Sequence, residues 1–317
     1  MKLQYGSLFA GVGGFDMGME LANYEPVFQV EWDKNCQKIL HHHWPTVPKW
    51  GDVCDVNGAD LPPCDVLIFG SPCQDLSIAG KRAGITDGER SVMFFEAVRI
   101  IKEMRDATNS IYPRATIWEN VPGALSSNKG ADFGVVLSTL ADIGAITQEY
   151  AVLDSINFRV PQRRRRIFLV SIFDPAASDR CPDPLLPLVY GSRGDFAKKR
   201  KARQDHSRTV KESSDLPNGK GYRMLAFGHY ADDDTASALK MRDYKDATDL
   251  VLVTKEQTTV RRLSPLEHER LMGWPDDHTR WYADGKEQAD TNRYKQCGNG
   301  VVTPVAAWVA KHLKGIL

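Results

Sequence analysis

Six cysteines, at positions 36, 54, 64, 73, 181 and 297, form no C-x-x-C pair. Zinc-ribbon and dithiol redox spacings are therefore absent, and a chain of 317 residues can build its core without a disulfide framework. Net charge is also lacking, since Lys+Arg and Asp+Glu both number 41. Neutrality argues against non-specific adhesion to polyanions but leaves local patches open. No apolar run reaches membrane-spanning length, no secretory leader pattern is seen, and no internal repeat is present. A soluble, cytoplasmic protein in a reducing compartment, with no membrane partner, is expected. No metal is expected either. His41-His42-His43 lies in a polar helical stretch, where consecutive side chains point in different directions, and reads as a solvated face. One absence is local: the dinucleotide fingerprint G-x-G-x-x-G fails, because Gly11 and Gly13 fit but Asp16 stands at the third glycine position. A pyrophosphate on the following helix is disfavoured.

What is present alternates between strand-like and helix-like stretches. Tyr5 to Phe9 reads as a strand, Ala10 to Gly14 as a glycine turn, and Phe15 to Leu21 as a helix start. Such a unit lets backbone approach a ligand and offers free N–H groups at the helix end. Pro26 to Trp32 is a second strand ending in Glu31, where an acid can accept hydrogen bonds from both ribose hydroxyls. Asp33 caps the next helix. Asp52 lies at a third strand end and suits an adenine amino group. Asp65 to Gly70 is a short apolar strand, and Ser71-Pro72-Cys73-Gln74-Asp75-Leu76 follows it. Pro72 constrains that loop, so Cys73 sits just past the carboxyl end of a buried strand, where open α/β sheets bind ligands. On its own Cys73 reads as a buried small hydrophobe or as a nucleophile.

Gly80 to Arg90 has the length and composition of an active-site loop. Ser91 to Met104 is amphipathic, with Met93, Phe94, Ala97, Ile100 and Ile101 on one face. Ala115 to Trp118 is a strand leading into Glu119, a strand-end position like that of Cys73. Phe133 to Leu140 reads as a helix, and Ala145 to Leu153 and Ile167 to Phe173 as strands. Between the last two lies Gln162-Arg163-Arg164-Arg165-Arg166, whose alternation points Arg164 and Arg166 to one face and Arg163 and Arg165 to the other. A solvated face or a localisation signal is the ordinary alternative for such a run.

Past Pro175 prolines cluster, a basic run Lys198 to Arg203 follows, and Gly219 to Leu252 mixes residue types without helical periodicity. This stretch reads as a second, smaller, loop-rich module. Ser264-Pro265-Leu266-Glu267 has the capping order of Ser, Pro and an acid three residues on. Gln296 to Gly300 reads as a turn, and Val302 to Leu313 as an apolar-faced closing helix.

In this order the stretches Phe9-Ala10-Gly11-Val12-Gly13-Gly14-Phe15, Glu31-Trp32-Asp33, Gly51-Asp52-Val53, Ser71-Pro72-Cys73-Gln74, Arg90 to Phe95, Glu119-Asn120-Val121, Gln162 to Arg166, Arg262 to Glu267, Met272-Gly273-Trp274-Pro275 and Gly298-Asn299 resemble the cytosine-carbon-5 DNA methyltransferase family. The resemblance covers the chain except roughly 175 to 258. It departs at Ser7, where the family usually has Asp, at Arg165, where an acid often separates two arginines, and at Gly300, where Ser or Ala is more usual.

The resemblance implies an α/β, Rossmann-like S-adenosylmethionine-dependent methyltransferase domain over 1–175 and 290–317. It also implies a smaller target-recognition domain over 176–289, with a variable core of about 176–258. Cys73, Glu119, Arg164 and Arg166 would be catalytic: Cys73 as nucleophile, Glu119 protonated on ring nitrogen 3 and the amino group, Arg166 on the ring carbonyl, and Arg164 on a phosphate or the base. Phe9, Ala10, Gly11, Gly13, Gly14, Glu31, Trp32, Asp52, Pro72 and Asn299 would hold S-adenosyl-L-methionine. Ser77, Arg82, Gln162, Arg163, Arg165, Arg223, Lys240 and Arg242 would contact double-stranded DNA. A monomer is expected, with any cognate restriction nuclease acting separately. Covalent catalysis explains the set: a thiolate added to carbon 6 of cytosine makes carbon 5 nucleophilic, and a base stacked in a duplex must first rotate out. The competing readings are an oxidoreductase-type nucleotide-binding module, a transfer-RNA methyltransferase of the same fold and a catalytically silent DNA-binding relative.

Overall fold

The computed structural model describes residues 2–71, 92–187, 219–226, 229–231, 233, 235–246, 249–254 and 258–317. Seven strands form the main sheet: β1 (Gln4–Leu8), β2 (Glu25–Val30), β3 (Lys49–Trp50), β4 (Val66–Phe69), β5 (Ala115–Asn120), β6 (Thr147–Asp154) and β7 (Arg165–Ile172). Their order is β3-β2-β1-β4-β5-β7-β6, parallel from β3 through β5, with β7 antiparallel to both its neighbours. The order reverses between β1 and β4. An open sheet splays its connections apart at such a point and leaves a crevice beyond the strand carboxyl ends.

Period-two alternation sends the central strands into two cores. Val66, Ile68, Ala115 and Ile117 face one cluster, and Leu67, Phe69 and Trp118 face the other. Strands buried on both faces need helices on both faces. One side carries α1 (Gly14–Leu21), α2 (Lys34–His43) and the last helix, and the other carries α3 (Val92–Ala107) and α4 (Ala131–Asp142). The predicted apolar face of α3 is realised, with Phe94, Ala97, Ile100 and Ile101 at most 1% exposed. Asp33 caps α2 by accepting from the Asn35 and Cys36 amides.

Beyond α5 (Pro175–Asp179) the described residues of the smaller module include a second sheet, whose individual strands the residue pattern does not mark. β8 (Gly219–Ala226), β9 (His229–Ala231), β10 (Leu250–Thr254) and β11 (Thr258–Arg262) are antiparallel in the order β11-β10-β8-β9, with the short helix α6 (Asp243–Asp246) among them. Glycine, aromatic and charged residues conceal these strands from a helical-period search, and antiparallel pairing supplies what local pattern does not.

Ser264 starts α7 (Pro265–Leu271) with the predicted reciprocal cap: its hydroxyl accepts from the Glu267 amide, and Glu267 accepts from the Ser264 amide at 2.7 Å. Buried Glu269 on α7 pairs with Arg293 at 3.1 Å. Arg293 lies on α8 (Asp290–Asn299). The turn expected at Gln296–Gly300 is therefore the last turn of a helix. Gly298 is not there to break it, because a Cβ at this position would overlap the backbone of Lys240 and Met241. α9 (Thr303–Lys314) packs on α1, and its apolar residues share a cluster with Tyr5 of β1. Among the described residues no helix is long and apolar enough to cross a membrane.

Candidate active site and methyl-donor crevice

Parallel strands deliver their following residues to one edge, and that edge gathers most of the predicted site. Phe9 to Gly14 leave β1, Glu31 and Trp32 leave β2, Asp52 follows β3, Ser71 follows β4 and Glu119 ends β5. Arg166 joins them because β7 runs the other way and starts where β5 ends. The crevice between the β1 and β4 connections is the sheet's switch point.

The glycine turn is held from both sides. Ala10 donates its amide to the Val30 carbonyl at 3.1 Å. Gly11 donates to Glu31 Oε2 at 2.7 Å, and Asp33 donates to Glu31 Oε1 at 2.8 Å. Glu31 is 7% exposed. Burial raises its carboxyl from the ordinary value, against the pull of those amides. It retains lone pairs suited to paired hydroxyl donors. Gly11 has φ +58°, and a Cβ there would meet no heavy atom within 4 Å, so the turn faces open space. An acid with acceptor capacity beside an open glycine turn fits a nucleoside. Phe9 is half-buried with φ 54°, Trp32 is 69% exposed, and Asp52 and Asn299 are also exposed. The Asp52 carboxylate accepts from the Cys54 amide at 3.0 Å.

Several supports of this turn escaped the sequence reading. His278 is buried and its Nε2 lies 2.7 Å from the Val12 carbonyl. Burial drives its imidazole down to about 3, so at neutral pH it is uncharged and donates Nε2–H to that carbonyl. Trp274 donates to the Val301 carbonyl at 3.1 Å and lies where a Gly300 side chain would be, which accounts for glycine at that departure. Beneath the turn, Asp16 is fully buried and accepts from Ser7 Oγ at 3.1 Å and Gln29 Nε2 at 2.9 Å. Burial pushes its carboxyl up to about 6. Ser7 thus faces an acid. The only available signal was the pair of unusual residues, Ser7 and Asp16, at either end of the turn.

At the reacting end, Glu119 is 9% exposed and its Oε1 lies 3.1 Å from Arg166 Nε. Burial raises its carboxyl, Arg166 and Arg164 oppose the rise, and burial prevails. A shift in this direction favours the protonated form, which can donate a hydrogen bond. Ser71 is tied to the same strand end. Its hydroxyl accepts from Trp118 Nε1 at 3.0 Å, and its carbonyl accepts from Asn120 Nδ2 at 3.4 Å. Pro72, Cys73, Ser77 and Arg82, the 80–90 loop and the 198–203 basic run lie outside the described residues.

The arginine run alternates as predicted, but one inward side chain serves the protein interior. Arg164 is 2% exposed, with its guanidinium on three backbone carbonyls instead of in the crevice. Gln162 is likewise fully buried, donating to the Leu271 carbonyl at 2.9 Å, so its amide is turned away from any DNA surface. Arg165 is exposed and Arg163 half-buried. Lys240 and Arg242 are exposed, whereas Arg223 is drawn onto Asp233 at 2.9 Å and Thr235 at 3.1 Å.

Residues 3–315 match the C-5 cytosine-specific DNA methylase family. The type II methyltransferase M.SsoII of Shigella sonnei is 31% identical over 321 residues, covering 96% of this chain and 78% of that protein. A protein of Escherichia phage P1 named a DNA N-6-adenine-methyltransferase is 26% identical over 465 residues, and the match spans 98% of this chain but only 61% of that protein. The crystal structure of S. pombe Dnmt2 methyltransferase superposes with a TM-score of 0.71 at 16% identity over 99% of both chains, a likeness of fold. By a match over nearly its whole length, the chain belongs to the C-5 cytosine-specific DNA methylase family and is, by that membership, a DNA (cytosine-5-)-methyltransferase.

Proposed function

We propose that the protein methylates carbon 5 of a cytosine turned out of duplex DNA, with Cys73 as nucleophile. The observation that carries this reading is the Glu119–Arg166 pair, 3.1 Å apart, with Glu119 on β5, beside the strand that leads into the Cys73 loop, and Arg166 on the next strand, β7. Glu119 in its protonated form donates to ring nitrogen 3 and accepts from the amino group, while Arg166 donates to the ring carbonyl oxygen. Both contacts draw electron density from the ring and favour addition of the Cys73 thiolate to carbon 6. Bound S-adenosylmethionine supplies the activated methyl group. Once carbon 5 carries that methyl, its proton leaves to a solvent base. The electron pair restores the 5,6 double bond and the Cys73 thiolate is expelled.

Glu31 accepts the ribose hydroxyls, Phe9 stacks on the adenine, and Asp52 takes its amino group beside Trp32. Asn299 closes the donor site with Pro72 and the turn residues Ala10, Gly11, Gly13 and Gly14. Residues 1–175 and 290–317 form the catalytic domain, and 176–289 read the target, the variable part being about 176–258. Arg163, Arg165, Lys240 and Arg242, with Ser77 and Arg82, supply phosphate and base contacts despite the neutral total charge. The protein works as a monomer in the cytoplasm of a bacterial or phage-infected cell, and any partner nuclease acts separately.

A duplex in which cytosine is replaced by 5-fluorocytosine tests the reading, because fluorine cannot leave as the proton does. With methyl donor present, a denaturation-resistant adduct at Cys73 is expected, and none with Cys73→Ala. Absence of an adduct in the wild type, or nuclease digestion of a normal substrate to N6-methyladenine, would overturn it. Methylation of transfer RNA but not duplex DNA would favour the RNA alternative.

A further inference from the structure

Arg164 Nη1 donates to the Leu239 carbonyl at 3.0 Å, and Nη2 donates to the Gly298 carbonyl at 3.0 Å and the Gly300 carbonyl at 2.7 Å. Leu239 belongs to the segment that follows β9 of the small sheet. Gly298 and Gly300 flank Asn299, at the end of α8. Arg164 itself stands two residues before Arg166, the partner of Glu119. One guanidinium thus joins the small sheet, the Asn299 turn and the base-binding strand.

Burying a cation costs several kcal/mol unless its donors are satisfied. Burial and the neighbouring Arg166 lower the Arg164 guanidinium to about 9, which still leaves it charged at neutral pH. Three carbonyls from two segments require a planar fork, which arginine provides and lysine does not. A second contact between the same parts is independent of Arg164. The last turn of α8 is so close to Lys240 and Met241 that Gly298 has no room for a Cβ. Lys240 and Arg242 of that segment are exposed.

We propose that Arg164 is a positioning residue that couples engagement of DNA by the small sheet to the seating of the methyl donor at Asn299. The proposal rests on the methyltransferase reading above. DNA drawn onto the 240–242 segment fixes the Leu239 carbonyl, Arg164 transmits that restraint to Gly298 and Gly300, and the Asn299 side chain between them is held for the donor. By reciprocity, a filled donor site tightens DNA binding by the same factor.

The test is calorimetric titration of S-adenosylhomocysteine into the full-length protein, with and without a saturating mixed-sequence plasmid duplex. In the wild type the affinity is expected to rise at least about fivefold with DNA, the lower end of ordinary couplings. Arg164→Lys keeps the charge but loses the fork. Gly298→Ala keeps Arg164 but pushes the 239–241 segment off α8. Both are expected to reduce the ratio to about two or less. A purely structural role would lower the melting temperature and leave the ratio intact, so a ratio unchanged in a folded variant overturns the proposal. So does a wild-type ratio of one. Should Arg164→Lys fail to fold, Gly298→Ala carries the test. If the methyltransferase reading itself were wrong, the wild type would not bind S-adenosylhomocysteine at all, which is a different result.

Discussion

Asp16→Asn should make stability depend less on pH, and the size of the change follows from the burial of one carboxyl. In the fold Asp16 rises from 3.8 to about 6. The folded protein therefore holds that proton more tightly than the unfolded chain. Its contribution to stability is complete below the unfolded value of 3.8 and is lost as pH rises through about 6. A shift of this size corresponds to about 3 kcal/mol, and the side chain is too deeply buried for solvent to screen it. Asparagine has no such loss. It also keeps the local bonds: its oxygen accepts from Gln29 Nε2, and its amide donates to Ser7 Oγ, which can accept. The variant should gain on the wild type by about 3 kcal/mol between pH 4 and pH 7.5, or ~4 °C in melting temperature for a chain of this length. Denaturant melts of both proteins at pH 4, 5, 6 and 7.5 read the difference directly. Stability curves that stay parallel across that range would refute the reasoning, because they would mean Asp16 titrates alike in the folded and unfolded states.

Other expectations are simpler. Cys73→Ala should abolish methyl transfer while S-adenosylhomocysteine affinity stays within about twofold of the wild type, since the proposed role of the thiol is addition to the base and not donor binding; tritium transfer and calorimetry check both halves. Glu31→Ala removes the anchor of the Gly11 amide and, on the proposed reading, the acceptor for the ribose hydroxyls. Donor affinity should fall by about 30-fold or more, with duplex affinity unchanged in a filter-binding assay. Ser264→Ala removes the hydroxyl half of the α7 cap and should cost about 1 kcal/mol in a denaturant melt, with a normal Km for the methyl donor.

The depth to which the site was legible varied with the range of the interactions. Strand-end acids and the glycine turn were visible because alternation and composition locate strands, and a parallel sheet sends every strand end to one edge. Arg166 and Glu119 were visible for the same reason. Gln162 and Arg164 were not. A polar side chain in a basic run looks solvated until the Leu271, Leu239, Gly298 and Gly300 carbonyls are known to surround it. Gly298 was misleading, since glycine for lack of room and glycine for a turn leave the same letter in the chain. The small sheet was missed because its strands gain definition from pairing partners more than from their own pattern.

The ordered set of motifs written along the chain therefore gave the reaction class, through its resemblance to a family, while local pattern placed a thiol after one apolar strand, an acid at the end of the next, and a glycine turn without the pyrophosphate glycine. Tertiary structure alone decided which charged groups face the crevice and which hold the protein together, because burial and carbonyl partners come from segments far apart in sequence. It placed Glu119 against Arg166, buried Asp16 on the Ser7 and Gln29 side chains, and set Arg164 between the segment after β9 and the Asn299 turn.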